Sequence, residues 1–275
     1  MINALKSLRR NRWLNKMLTS RRLANRKKKY GEYVTDARLN GRITYKDMMY
    51  AGDLSHYIKV GNSAIENIEE ALRAANRSFD SLNAVLDMPC GHGRVLRLLA
   101  TKVAAEKITA CEIDPDGIEF CAEEFGCKKF QSSYDISTIQ FREKFSLVWV
   151  GSLFTHLKQE EFSSLLSLLF DSLEENGVLV FTAHGNYSIE IFEQYWGKTP
   201  PVNAEELQLE LKKTNGFYFA PYASTKDYGI SISLNAYVVE LVKSLFADSA
   251  SVVMFREKGW DNHQDVYAIK KIGKN

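Results

Sequence analysis

From Asn83 onward, short apolar runs alternate with helical stretches almost to the C-terminus. Ala84–Met88 reads as a buried strand, Val95–Ala100 as a helix and Lys107–Ile113 as a second strand. Asp114-Pro115 then opens a helix. Asp114 suits the N-cap, and Pro115 suits the first helical position, where its missing N–H leaves no bond unmade. Gly126 can end that helix in a left-handed turn. Lys129–Ser132, Ser146–Val150 and Val178–Thr182 supply three more strands. Between the last two, Phe162, Leu165, Leu166, Leu169 and Leu173 form a helical stripe ending at Asn176-Gly177. A further helix carries Leu234, Val238, Leu241, Val242 and Leu245 on one face. Such alternation predicts a parallel sheet with right-handed crossovers. Two final strands, about 251–257 and 266–271, are joined by residues 259–265. That link is too short for a parallel crossover, so the last strand must run antiparallel. The expected fold is α/β, a doubly wound, mostly parallel seven-stranded sheet with an antiparallel last strand.

The N-terminal third is organised differently. Residues 1–31 hold eleven Lys/Arg and no acid, leaving 25 basic and 34 acidic groups elsewhere, a net of −9. The overall charge of +2 therefore hides a basic arm on an acidic body. The arm, taken as residues 1–45, is expected to be helical; the remaining domain spans 46–275. Within it, 46–80 are cap helices, one starting at an S-x-x-E capping box, Ser63 and Glu66, followed by the stripe Ile65, Ile68, Leu72. Residues 186–230 break the rhythm with three prolines and many aromatics, and read as a substrate-side insertion. Cys90, Cys111, Cys121 and Cys127 show no C-x-x-C spacing and read as reduced thiols of a cytoplasmic protein, with Cys90 and Cys111 as packing residues. No apolar run is long enough to cross a bilayer.

Chemistry concentrates in Leu86-Asp87-Met88-Pro89-Cys90-Gly91-His92-Gly93-Arg94, at the first strand-to-helix turn. In open α/β sheets, ligands bind at the carboxyl ends of strands. Gly91 and Gly93 let the backbone turn tightly and approach a ligand. Asp87 precedes them, and Glu112 ends the next strand, 21 residues after Gly91, where a carboxylate can take both ribose hydroxyls of an adenosine ligand. Asp114 competes for that role but is already explained as an N-cap. Leu96 stands where a third dinucleotide glycine would be. A carboxylate before the glycines also suits a ligand without a pyrophosphate.

The segments LDMPCGHG, ACEIDPDGIEFC and FSLVWVGSLFTHL resemble the first three signature segments of class I S-adenosylmethionine-dependent methyltransferases, over about residues 50–271. The resemblance implies a Rossmann-like methyltransferase fold, with S-adenosylmethionine as cofactor. It implies that Gly91 and Gly93 line the methionine and ribose part, that Asp87 organises the loop, and that Glu112 holds the ribose. Ser133, with Tyr134 and Asp135, would lie against adenine, and the segment from Ser152 to His156 would face the transfer site. Pro89-Cys90 departs from the small residues usual there.

His92, His156, His184 and His263 each follow a strand end and so share one sheet edge. Loss of a proton from a hydroxyl or ammonium acceptor suits His near neutral pH. His263 lies between Asp261 and Asp265, either of which could orient it; His156 and His184 are rival bases. Their scattered spacing gives no metal motif. The aromatic insertion and the 50–57 segment are expected to cover the acceptor. The expected reaction is methyl transfer to an O or N nucleophile of a small-molecule, glycan- or lipid-linked acceptor. The basic arm could meet an anionic membrane surface, a protein partner, or RNA phosphate. The body's net −9 disfavours nucleic acid. Its Arg-rich, acid-free composition also resembles a mitochondrial transit peptide. RNA methylation through the arm and an inactive cofactor-binding scaffold are the alternatives.

Overall fold

The computed structural model describes residues 39–191, 204–222 and 227–273. The basic segment 1–31, the middle of the aromatic insertion and its hairpin tip lie outside them.

Seven strands form one sheet: β1 (Val85–Asp87), β2 (Ile108–Glu112), β3 (Lys128–Gln131), β4 (Phe145–Val150), β5 (Leu173–Ala183), β8 (Ala250–Trp260) and β9 (Gln264–Lys271). Their order is β3-β2-β1-β4-β5-β9-β8, and β9 alone runs antiparallel, between β5 and β8. Alternate residues along each strand feed two cores. Val85, Leu147, Val178 and Ala268 face one side; Leu86, Val148, Leu179 and Ile269 face the other. Both faces are covered, which is why these strands read as continuous apolar runs rather than alternating ones.

The helices are α1 (Leu54–Ala74), α2 (Leu96–Lys102), α3 (Pro115–Phe125), α4 (Gln159–Asp171), α5 (Asn186–Glu190), α6 (Ala204–Lys213) and α7 (Asn235–Phe246). In α3 the Asp114 side chain accepts the Asp116 N–H, Pro115 follows, and Gly126 closes the helix at φ 75°. The predicted punctuation holds there at both ends. It fails for α1. Its N-cap lies ten residues before the Ser63 capping box, on Asp53, whose carboxylate accepts the His56 N–H. Ser63 instead lies mid-helix, donating to the Gly259 carbonyl and accepting the Asp261 N–H. Its hydroxyl is a tertiary anchor for the β8–β9 turn.

Three other expectations shift. Helix α4 stops at Asp171, and Leu173–Gly177 already belongs to β5, with a register break between the Phe145 and Leu147 pairings. The final hairpin is tighter than the seven-residue link expected, because Gly259, Trp260, Gln264 and Asp265 are themselves strand residues. On α7 the buried face is Tyr237, Val238, Val242 and Phe246, while Leu245 is exposed. The insertion is structured where described: α6 is followed by an antiparallel hairpin of β6 (Phe217–Pro221) and β7 (Gly229–Ser233).

Ahead of α1, residues 39–53 are irregular but anchored. Leu39 and Ile43 are buried, and the fully buried Arg97 donates to the carbonyls of Asn40 and Arg42. Arg97 also donates to Gly93 and His92 carbonyls and to the Tyr57 hydroxyl. One guanidinium thus ties this segment to the glycine turn, with its donors satisfied in a site where an unpaired charge would be costly. All four cysteines are free and buried, as packing residues should be.

Candidate active site

The carboxyl ends of β1, β2 and β4 meet at one edge of the sheet. At the end of β1 the chain turns through Gly91 at φ 51° and Gly93 at φ 81°. Left-handed backbone at two positions in three is why glycine stands at both. A Cβ on Gly93 would lie 2.4 Å from Phe125 Cε2, whereas a Cβ on Gly91 meets nothing within 4 Å. Space above Gly91 is therefore open to a ligand. Gly117 lets the start of α3 press against the loop, since a Cβ there would sit 2.6 Å from the Gly91 carbonyl oxygen.

Glu112 organises this turn more than expected. Its carboxylate accepts the Gly91 N–H at 2.8 Å, Ile113 N–H at 2.7 Å and Asp114 N–H at 3.3 Å. It bridges the two strand-end loops while keeping lone-pair capacity. Asp87 is fully buried at the end of β1, and its Oδ2 has no hydrogen-bond partner. Burial, then the charge of Glu112, push its carboxyl well above the usual range; Arg94 opposes them. Two neighbouring carboxylates, one orphaned in the interior, make a place that gains from positive charge. Ser133 lies in the loop after β3, accepting the Asp135 N–H at 3.1 Å, beside an exposed Tyr134.

On the other side of the edge, Ser152 follows β4 at φ 63°. Its N–H donates to Thr182 Oγ1 at 2.8 Å, Thr182 donates to Gln264 Oε1 at 2.6 Å, and Gln264 Nε2 donates to Ser152 Oγ at 2.6 Å. This closed ring locks β4, β5 and β9 together. Beside it the structure unites three histidines. His156 and His184 have ring centroids 6.5 Å apart, and His184 and His263 5.4 Å apart. His156 is held by the Gly229 carbonyl at 2.7 Å and stacks on Tyr228 at 4.7 Å. His184 Nδ1 faces the Ser231 carbonyl at 3.1 Å. The hairpin of the insertion thus supplies partners to the cluster. Burial lowers all three, His184 to about 3, where His263 and His156 add to the effect. Asp261 counters burial at His263.

Two expectations change. His92 is not part of this cluster; the glycine turn carries it to α3, where it is buried at 6.0 Å from Phe120. Asp265 accepts the Lys258 N–H at 2.9 Å and packs on Gly185, where no Cβ could fit. That leaves Asp261 as the acid whose charge acts on His263, and its carboxylate also lies 3.6 Å from His56. His56 carried no strand-end signal, because α1 brings it in from the opposite direction.

A cavity of about 430 Å³ opens between the two halves, lined by Val60, Arg94, Ser152, Tyr187, Trp260, Asp261, Asn262, His263 and Gln264. Arg94, Tyr187 and Trp260 were not singled out from sequence. Arg94 could have been, as the cation directly after the glycines. Among the described residues no group of three or more His, Cys, Asp or Glu is arranged to hold a metal ion, and no helix is long and apolar enough to cross a membrane.

Residues 85–177, from the start of β1 into β5, match the methyltransferase domain family. Malonyl-acyl-carrier-protein O-methyltransferase of Acetivibrio thermocellus is 28% identical over 103 residues, 37% of this chain and 36% of that protein. The match thus spans about a third of that curated relative. A methyltransferase structure from Clostridium acetobutylicum superposes with TM-score 0.52 at 15% identity, covering 83% of this chain and 96% of that one. Magnesium protoporphyrin IX methyltransferase from Synechocystis, solved with S-adenosylhomocysteine bound, gives TM-score 0.50 at 12% identity, covering 93% and 99%. The fold is that of the class I S-adenosylmethionine-dependent methyltransferases. The matched stretch, residues 85–177, lies within this fold.

Proposed function

We propose that this chain binds S-adenosylmethionine over the Gly91–Gly93 turn and transfers its methyl group to an O or N nucleophile of a small-molecule, glycan- or lipid-linked acceptor. The observation that carries the reading is the turn with its paired acids: an open approach above Gly91, an orphaned buried Asp87 oxygen, and Glu112 at the next strand end. When bound, the cofactor supplies an electrophilic methyl on a sulfonium. Its sulfonium and ammonium charges match the electrostatic demand of Asp87 and Glu112. Glu112 retains acceptor capacity for ribose hydroxyls, and Ser133 borders the space for adenine. These assignments rest on strand-end position and on the family resemblance of the motif.

Methyl transfer is an in-line displacement, so the chain's main contribution is alignment. Ser152 at the tip of β4, fixed by Thr182 and Gln264, forms a rigid wall for that alignment. His263 lines the cavity and is the favoured base, with Asp261 to stabilise its protonated form. His184, lowered to about 3, is too weak a base and instead presents a neutral imidazole that spaces its neighbours. His156, bonded to the hairpin, is the remaining candidate. The aromatic insertion would close over the acceptor: Tyr228 stacks on His156, and burial, then Tyr222, push its phenol up to about 12. The basic segment 1–31 would meet an anionic membrane surface or a protein partner, and a cytoplasmic location fits that use.

The direct test is labelled methyl incorporation from S-adenosylmethionine into extract fractions, with mass analysis of the product. Transfer that disappears in His263→Ala while cofactor binding persists supports the assignment. Cofactor binding without transfer across a broad acceptor screen would favour the scaffold alternative.

A further inference from the structure

The cavity beside the glycine turn holds a cation that no described residue neutralises by contact. Arg94 lines it, and its guanidinium makes no hydrogen bond or ion pair among the described residues. It lies 5.4 Å from the Trp260 ring, whose indole N–H is fixed on the Val60 carbonyl at 2.9 Å. Burial lowers the Arg94 pKa, while Tyr57, Asp47, Asp261 and Asp87 act the other way. None of these groups pairs with the guanidinium among the described residues. Asp47 accepts the Tyr57 hydroxyl at 2.6 Å and the Met49 N–H at 3.0 Å, and Asp261 faces His56. Ser152 and Gln264, which also line it, spend their polar atoms on each other and on Thr182. A cavity of this volume is the size of an ordinary small-ligand pocket. Its unengaged donor is a planar fork.

We propose that Arg94 is a carboxylate receptor in this cavity, so that a ligand of this site carries a carboxylate group. The proposal deepens the transferase reading of the same cleft. A guanidinium flanked by an indole matches a single planar carboxylate in a bidentate pair. The negative charges around it disfavour a doubly charged phosphate. Two molecules could bring that group: the cofactor through its methionine end, or the acceptor.

Calorimetric titration of the full chain separates the sources, using S-adenosylhomocysteine, 5′-methylthioadenosine (which lacks the amino-acid tail), and benzoate added to the S-adenosylhomocysteine-bound or free protein. For wild type against Arg94→Met, loss of a charge-assisted bidentate bond should weaken the carboxylate ligand roughly tenfold or more. Weakened S-adenosylhomocysteine with unchanged 5′-methylthioadenosine places the cofactor's tail on Arg94. Unchanged S-adenosylhomocysteine with weakened benzoate places an acceptor there. Equal affinities of both proteins for both carboxylate ligands would overturn the proposal, as would wild-type protein that binds neither. Arg94→Lys keeps the charge without the fork and should show an intermediate loss; it decides the matter if the methionine variant does not fold. Wild-type protein that binds neither nucleoside sinks the transferase reading, and benzoate then still decides the receptor.

Discussion

The two halves of the candidate-site edge are built in different ways. At the carboxyl ends of β1 and β2 the backbone does the work: two left-handed glycines, a helix start pressed against them by Gly117, and Glu112 gathering three N–H groups. At the ends of β4, β5 and β9, side chains from far apart in sequence do it: His156, His184 and His263, the Ser152–Thr182–Gln264 ring, and tyrosines of the insertion. The first half is held mainly by local backbone geometry, the second by long-range side-chain contacts.

If that division is real, variants should separate binding from turnover. His263→Ala should lower turnover by about a hundredfold, the usual worth of a general base. Its affinity for S-adenosylhomocysteine should stay within about twofold; equal turnover in the variant would remove His263 from the chemistry. Glu112→Ala should do the reverse, weakening S-adenosylhomocysteine by about tenfold, since three loop N–H groups lose their acceptor. Calorimetry would show an unchanged affinity if the carboxylate were merely a surface charge.

Two smaller effects concern stability on the acceptor side. Unfolded, His184 titrates near 6.5; folded, burial holds it at about 3. Stability from this group is present above 6.5 and is lost as pH falls from 6.5 towards 3, because only the unfolded chain takes the proton. His184→Asn should therefore flatten the acid limb of thermal stability, and a limb as steep as wild type would mean that the imidazole is not held neutral. Asp265 behaves oppositely: burial raises it from 3.8 to about 6. Ionising it destabilises the fold as pH rises through that window. Asp265→Asn, which keeps an acceptor for the Lys258 N–H, should raise Tm by a few degrees at pH 7 and little at pH 4. A melting scan at both pH values checks the difference.

The backbone-built half was also the legible half. Strand, glycines, acid, next strand and Asp114-Pro115 are local signals. Each survived because local geometry and tertiary packing demand the same thing at those positions. Where tertiary contact overrode local propensity, sequence misled. Ser63 reads as a cap but anchors the β8–β9 turn from mid-helix, and Asn176-Gly177 reads as a helix stop but sits in a bulged strand. The histidines could be assigned to one edge from topology. Their order, the exclusion of His92, and the arrival of His56 and Arg94 could not, because each depends on side-chain direction and on elements packed from opposite sides. Cys90 and Cys111, read as packing residues, are buried as that reading requires.

The decisive measurement is calorimetric titration of S-adenosylhomocysteine into wild type and Gly91→Val. Gly91 sits at φ 51°, and a side chain there would project into the open space above the turn. Binding at one site per chain in wild type, abolished in Gly91→Val with the fold retained by circular dichroism, is the predicted result. No binding to wild type, or equal binding to both, would contradict a cofactor seated on the glycine turn.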